Sequence, residues 1–128
     1  MNSPRKENTV VPINITLHQL SRILEISFDD GKVFKLPYEY LRVYTPSAEA
    51  MGHGPGSKTL QINKENIGIL EIKPIGNYGI SPVFTDGHST GIYTWDFLYR
   101  LGDEYSSMWD SYLHQLEIAG HQRNSTNT

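Results

Sequence analysis

Cysteine is absent, which removes disulfides, thiolate metal sites and cysteine nucleophiles together. No apolar run approaches the roughly 18 residues that a membrane helix needs. The opening MNSPRKENTV is polar, with no hydrophobic stretch behind it, so neither membrane insertion nor a cleaved export signal is expected. Excess positive charge is missing as well. Eleven Lys and Arg against 14 Asp and Glu leave a formal charge of −3, whereas a binder of duplex nucleic acid needs a basic patch. The expectation is a cytoplasmic protein that engages neither membrane nor duplex nucleic acid.

What is present points to a small folded domain. The 128 residues, 38% apolar and 11% aromatic, suffice for one core. Their most informative feature is a near-repeat. Phe-Asp-Asp-Gly at Phe28 to Gly31 leads to Leu36 and PYEYLR, and Phe-Thr-Asp-Gly at Phe84 to Gly87 leads to Ile92 and YTWDFLYR. Each copy reads as strand, tight turn, strand and short helix, with Asp-Gly supplying the positive φ of a primed hairpin turn. The predicted fold is α+β: a single small domain with an antiparallel-rich sheet built from two ββα-like units and closed by a C-terminal amphipathic helix.

Local signals fill in the frame. Residues 11–119 read as the domain, with 1–10 and 120–128 as flexible ends that carry no apolar anchor. Ile13 and Ile15 predict a first strand near a sheet edge, and Pro82 predicts a strand interrupted or at an edge there. Pro37 opens a helix over 38–43, Thr94 caps a helix from Trp95 to Leu101, and Gly102 is read as its stop. Tyr105, Met108, Trp109, Tyr112, Leu113 and Leu116 recur at helical spacing, which predicts a last helix packed on the sheet or, as the alternative, in a dimer interface. The oligomeric expectation is a monomer or weak homodimer.

Chemistry-bearing motifs are few. GHGPGSKT, from Gly52 to Thr59, lacks the Gly directly before Lys that a phosphate loop requires, because Ser57 stands there. Gly87-His88-Ser89-Thr90-Gly91 has the G-x-S-x-G form, but it follows a predicted Asp-Gly turn and does not lead from a strand directly into a helix, so no nucleophilic triad is indicated. The Gly- and Pro-rich stretch over 44–59 is read as a long loop, and such loops in compact domains are commonly functional. His53 within it and His88 after the second Asp-Gly, with Glu49 and Asp86 as carboxylates, form the candidate donor set.

The strings LRVYTPSAEA, GHGPG, IKPIGNYGI and FTDGHSTGIYTWDFLYRLG resemble the domain-of-unknown-function 971 family of small bacterial proteins. That family is similar to the N-terminal domain of gamma-butyrobetaine hydroxylase, and the likeness runs from about Leu17 to Gly102. It implies a small α+β domain that precedes an iron and 2-oxoglutarate dioxygenase domain in the hydroxylases, and that is also fused to plastid carriers of iron–sulfur clusters. The dioxygenase portion has no counterpart in this chain, so the resemblance implies no hydroxylase activity.

In the hydroxylases the small domain holds zinc through three Cys and one His. At the matching places stand Thr45, Ser47 and Ala50, with His88 retained, so the resemblance implies a lost zinc site and no cofactor. The expected function is a non-catalytic binding or adaptor domain for an unidentified protein partner, linked to iron–sulfur or redox-enzyme assembly. Its expected surface comprises Glu49, His53, Gly54, His88 and Trp95. The alternative is a metal-binding domain in which Glu49, His53 and His88 hold a divalent metal weakly.

Overall fold

The computed structural model describes residues 10–46 and 60–123. Within them the order is β1 (Pro12–His18), β2 (Ile23–Phe28), β3 (Val33–Pro37), α1 (Tyr38–Val43), β4 (Ile69–Ile75), β5 (Gly79–Phe84), β6 (Tyr93–Thr94), α2 (Trp95–Asp103) and α3 (Tyr105–Ile118). The architecture is α+β. The strands divide into two three-stranded antiparallel sheets, β1-β2-β3 and β4-β5-β6, where the sequence pattern implies one. The reason lies in β1 and β4, which each add a third strand to their own ββα unit, so each unit closes its own meander.

The near-repeat is thereby larger than its sequence likeness. Phe28 and Phe84 donate their N–H groups to the carbonyls of Lys32 and His88, both at 2.9 Å, and Gly31 and Gly87 donate theirs back to Phe28 and Phe84, both at 3.0 Å. Asp29 N–H reaches Val11 O just as Thr85 N–H reaches Gly68 O. Both first strands slip register at the same place, between Pro12 and Asn14 and between Ile69 and Glu71. Tyr38 and Trp95, the first residues of α1 and α2, donate to Arg22 O and Tyr78 O. Two weakly similar segments thus build one βββα pattern twice.

These hydrogen bonds also correct the turn type. Positive φ falls on Gly31 (91°) and Gly87 (90°) but not on Asp30 or Asp86, so neither turn is a primed two-residue loop. Each is a three-residue loop closed by a glycine bulge. A Cβ built on either glycine meets nothing within 4 Å, leaving the backbone as the source of any penalty. Gly31→Val and Gly87→Val are therefore each expected to lower stability by about 1–2 kcal/mol. Urea midpoints unchanged in both variants would refute this assignment.

Alternation in β2 sends Leu24, Ile26 and Phe28 wholly inside and leaves Glu25 and Ser27 on the outer face. They meet Leu36, Tyr38, Tyr40 and Leu41 from the first unit, and Ile69, Ile80, Phe84, Tyr93, Leu98 and Leu101 from the second, in one core. Gln19 ties the sheets by donating Nε2–H to Ile69 O at 3.0 Å while accepting from Tyr38 OH. Ile92, read as the counterpart of buried Leu36, is 45% exposed, and Tyr93 takes the core place at 0%. The second unit carries one more residue between turn and helix, and that residue shifts the inward position.

Pro82 lies in β5, the middle strand, opposite Ile72, yet β6 pairs only with Gly79 and Ile80. On that side β5 is unpaired at Pro82, so the missing N–H costs the ladder nothing. Thr94 caps α2 as the sequence predicts, accepting from Phe97 N–H at 3.2 Å. Gly102 does not stop the helix, which runs to Asp103. Its lack of a side chain instead makes room for the Phe34 ring, which an added Cβ would overlap.

Helix α3 meets α2, its neighbour in the chain, and lays its aromatic face on α1. Tyr40 meets Tyr105 and Trp109 edge to face, and Tyr112 and Leu116 are buried with Val43 in a second cluster. Gly120 (φ 80°) ends α3, with His121 N–H bonded to Leu116 O and Gly120 N–H to Glu117 O, a Schellman cap. Beyond it charge holds the chain. Arg123 grips Glu39 of α1 through Nη2 at 2.6 Å and Nε at 2.9 Å and lies over the Trp109 ring.

Candidate functional site

At six residues, α1 is too short to be stable alone, and every one of its residues is buried. Two are charged, and both reach across the fold. Glu39 takes Arg123. Arg42, 7% exposed, donates Nε–H to Asp86 Oδ2 at 3.0 Å. Lys64 Nζ meets the same oxygen at 2.7 Å, and the N–H of His88 donates to Asp86 Oδ1 at 3.1 Å. Burial by itself would raise the Asp86 pKa. The Lys64 and His88 hydrogen bonds and the Arg42 charge outweigh it and hold the carboxyl at about 2.

The same clamp exists in the first unit with different chemistry. Asp30 Oδ1 accepts from the N–H of Lys32 at 3.0 Å, and Asp30 Oδ2 accepts from Tyr99 OH of α2 at 2.7 Å. Tyr99 follows Arg42 by 57 positions, as Trp95 follows Tyr38. Each unit's turn carboxylate is thus held by the other unit's helix. The first clamp uses one neutral hydroxyl, and the second uses two cations. Arg42 Nη1, packed where the guanidinium lies 6.0 Å from the Phe84 ring centre, is buried without a hydrogen-bond partner among the described residues.

His88 is fixed from several sides. Its Nε2 lies 3.0 Å from the hydroxyl of fully buried Thr45, and its ring packs beside Phe84. Gly91 allows this approach, since a Cβ there would stand 2.5 Å from Thr45 Oγ1. Ser81 Oγ–H donates to Ser89 O and fastens the next residue to β5. Tyr93 donates its hydroxyl to Leu41 O under the cluster, and burial pushes its pKa well up. Thr45, at a place where the resemblance puts a zinc ligand, thus meets His88 through a hydrogen bond. With Thr45, Ser47 and Ala50 in place of thiolates, the donor set does not fit a structural zinc.

The remaining predicted positions separate. Glu49, His53 and Gly54 lie outside the described residues. Trp95 donates its indole N–H to Asn77 O at 2.8 Å and covers the β4–β5 turn. Trp95 and His88 thus lie at opposite ends of β5. Among the described residues no three His, Asp or Glu side chains form a metal-holding group. His18 pairs with Glu25 at 2.8 Å, and His114 on α3 and His121 just beyond it are exposed. Arg42 and Lys64 escape the sequence reading. The one available signal is an arginine inside the otherwise apolar end of PYEYLRV.

Comparison with known proteins fits this geometry. The family model described as gamma-butyrobetaine hydroxylase-like, N-terminal, matches residues 15–99. Two proteins with NMR solution structures superpose at a TM-score of 0.78. One is 43% identical, covering 95% of this chain and 91% of its own, and the other is 39% identical, covering 90% of each. A crystal structure of a protein of unknown function from Acidithiobacillus ferrooxidans, belonging to the DUF971 family, superposes at 0.60 with 35% identity over 71% of this chain and 91% of that one. No functionally curated protein matches the chain.

Proposed function

The chain belongs to the gamma-butyrobetaine hydroxylase-like N-terminal family, and we propose that it is a non-catalytic adaptor that presents the His88 hairpin to a protein partner. The observation that supports this reading is the rigidity of that hairpin. Asp86 is held by Arg42 and Lys64, and His88 is held by Thr45. A surface ordered before the encounter loses little conformational entropy on binding. The chain leaves the described region at Pro46, one residue past the threonine that holds His88, so Glu49, His53 and Gly54 belong to the segment that starts beside it. The setting we infer is iron–sulfur or redox-enzyme assembly, on the strength of the family likeness alone.

The test is a Glu49→Ala, His53→Ala, His88→Ala triple variant compared with the wild type in quantitative affinity capture from the native cytoplasm, alongside thermal melts. Partners held by the wild type should be lost by a variant that melts at nearly the same temperature. A triple variant that folds and retains every partner would place the function elsewhere. Unfolding would assign the three residues to structure.

A further inference from the structure

The polypeptide fills one of its own pockets with an arginine. Past the Gly120 cap, Arg123 lays its planar fork on both oxygens of Glu39, with Nη2 at 2.6 Å from Oε1 and Nε at 2.9 Å from Oε2. The same guanidinium lies 5.5 Å from the centre of the Trp109 ring, which stacks on Tyr105 at an interplanar angle of 11°. A carboxylate fork and an aromatic face are the two contacts that select a guanidinium over an ammonium. Hydrogen bonding to Glu39 holds the Arg123 pKa above its ordinary value against the opposing cost of burial, and the charge of Glu65 adds to the effect. Two carboxylates thus act on one cation.

Pocket and occupant differ in how firmly they are built. Glu39 and Trp109 stand on α1 and α3, and the Glu39 side chain retains 8% exposure. Arg123 retains 39% and is joined to α3 through Ala119, Gly120, His121 and Gln122. A carboxylate placed so deeply is strongly penalised without its countercharge, so whenever the tail lifts the pocket favours any guanidinium that can enter. We propose that Glu39 and Trp109 form a docking site for an arginine side chain of a partner protein, and that Arg123 occupies it in cis as an autoinhibitory latch. A short tether presents its group at an effective concentration on the order of millimolar, so the partner prevails only by adding contacts. A cleft of about 380 Å3 beside the tail, lined by Leu113, Leu116, Glu117 and His121 among others, offers apolar surface for the residues flanking the incoming arginine. This site does not rest on the reading of the His88 hairpin.

The experiment uses the full chain with nitrogen-15 labelling and follows the assigned indole N–H resonance of Trp109. N-acetyl-arginine amide is titrated into the wild type and into Arg123→Ala at constant ionic strength, with N-acetyl-lysine amide and free L-arginine as further arms. Arg123→Ala should show a saturable displacement of that resonance, and half-saturation in the wild type, where the tail competes, should lie about tenfold higher. Adding Glu39→Gln to Arg123→Ala should weaken the arginine amide about tenfold, and the lysine amide should bind less tightly than the arginine amide. If Arg123→Ala fails to fold, Arg123→Lys keeps the charge without the fork and should take the arginine amide more tightly than the wild type does. The proposal is overturned if the folded variant shows no displacement, if it half-saturates like the wild type, if Glu39→Gln changes nothing, or if the lysine amide binds as well. Tighter binding of free L-arginine than of the amide would assign the pocket to the amino acid and overturn the protein-partner reading.

Discussion

Replacing Asp86 with Asn is expected to lower the stability of this domain by about 3 kcal/mol, because it leaves Arg42 and Lys64 facing a neutral side chain in a partly dry site. Arg42 cannot escape into water, being 7% exposed at the end of a helix buried along its whole length. The loss should depend on pH. The Asp86 carboxyl titrates near 2 in the folded chain, below its ordinary value of 3.8, so folding favours the ionised form. That contribution is complete above about pH 5 and is lost as pH falls through the folded value near 2. The wild type should therefore surrender about 2 kcal/mol to Asp86 protonation over that interval, and Asp86→Asn should not. Urea denaturation of both proteins from pH 7 to pH 2 measures this, and parallel curves across the interval would contradict the clamp.

The other large effect is expected at Gly102. Helix propensity alone makes a Gly to Ala change favourable by up to about 1 kcal/mol in an exposed helix interior. Here a Cβ would overlap the Phe34 ring, which has little room to retreat because Phe28 and Tyr99 flank it with centroids at 6.0 and 5.2 Å. Gly102→Val adds branching to that overlap and should cost about 3 kcal/mol, the upper end of overpacking penalties. Phe34→Ala supplies the control. In that background the penalty of Gly102→Val should shrink sharply, since the two residues share one volume. Equal penalties in both backgrounds, measured as shifts in denaturation midpoint at constant slope, would show that close packing is not why glycine stands there.

These two sites mark how far the sequence reads. Alternation in β2, the two Asp-Gly turns, the Thr94 cap and the periodic face of α3 are local signals, carried by residues a few positions apart, and each is legible without knowing what it packs against. They are enough for the α+β class and for the approximate ends of most elements. Likeness to a family was legible from strings such as GHGPG and FTDGHSTG for the same reason, because a string is local.

Arg42, Lys64 and Asp86 were not legible as a cluster, because residues up to 44 positions apart meet only when two βββα units face each other and each helix grips the other's turn. Gly102 reads as a stop until Phe34, from β3, is found against it. The split into two sheets likewise depends on β1 and β4 finding partners in their own unit. What the sequence determined by itself is therefore the set of elements and their inward faces. What the tertiary structure alone decided is which buried charges meet, because pairing across the fold is governed by distance in space and the cost of desolvation, neither of which is written in neighbouring residues.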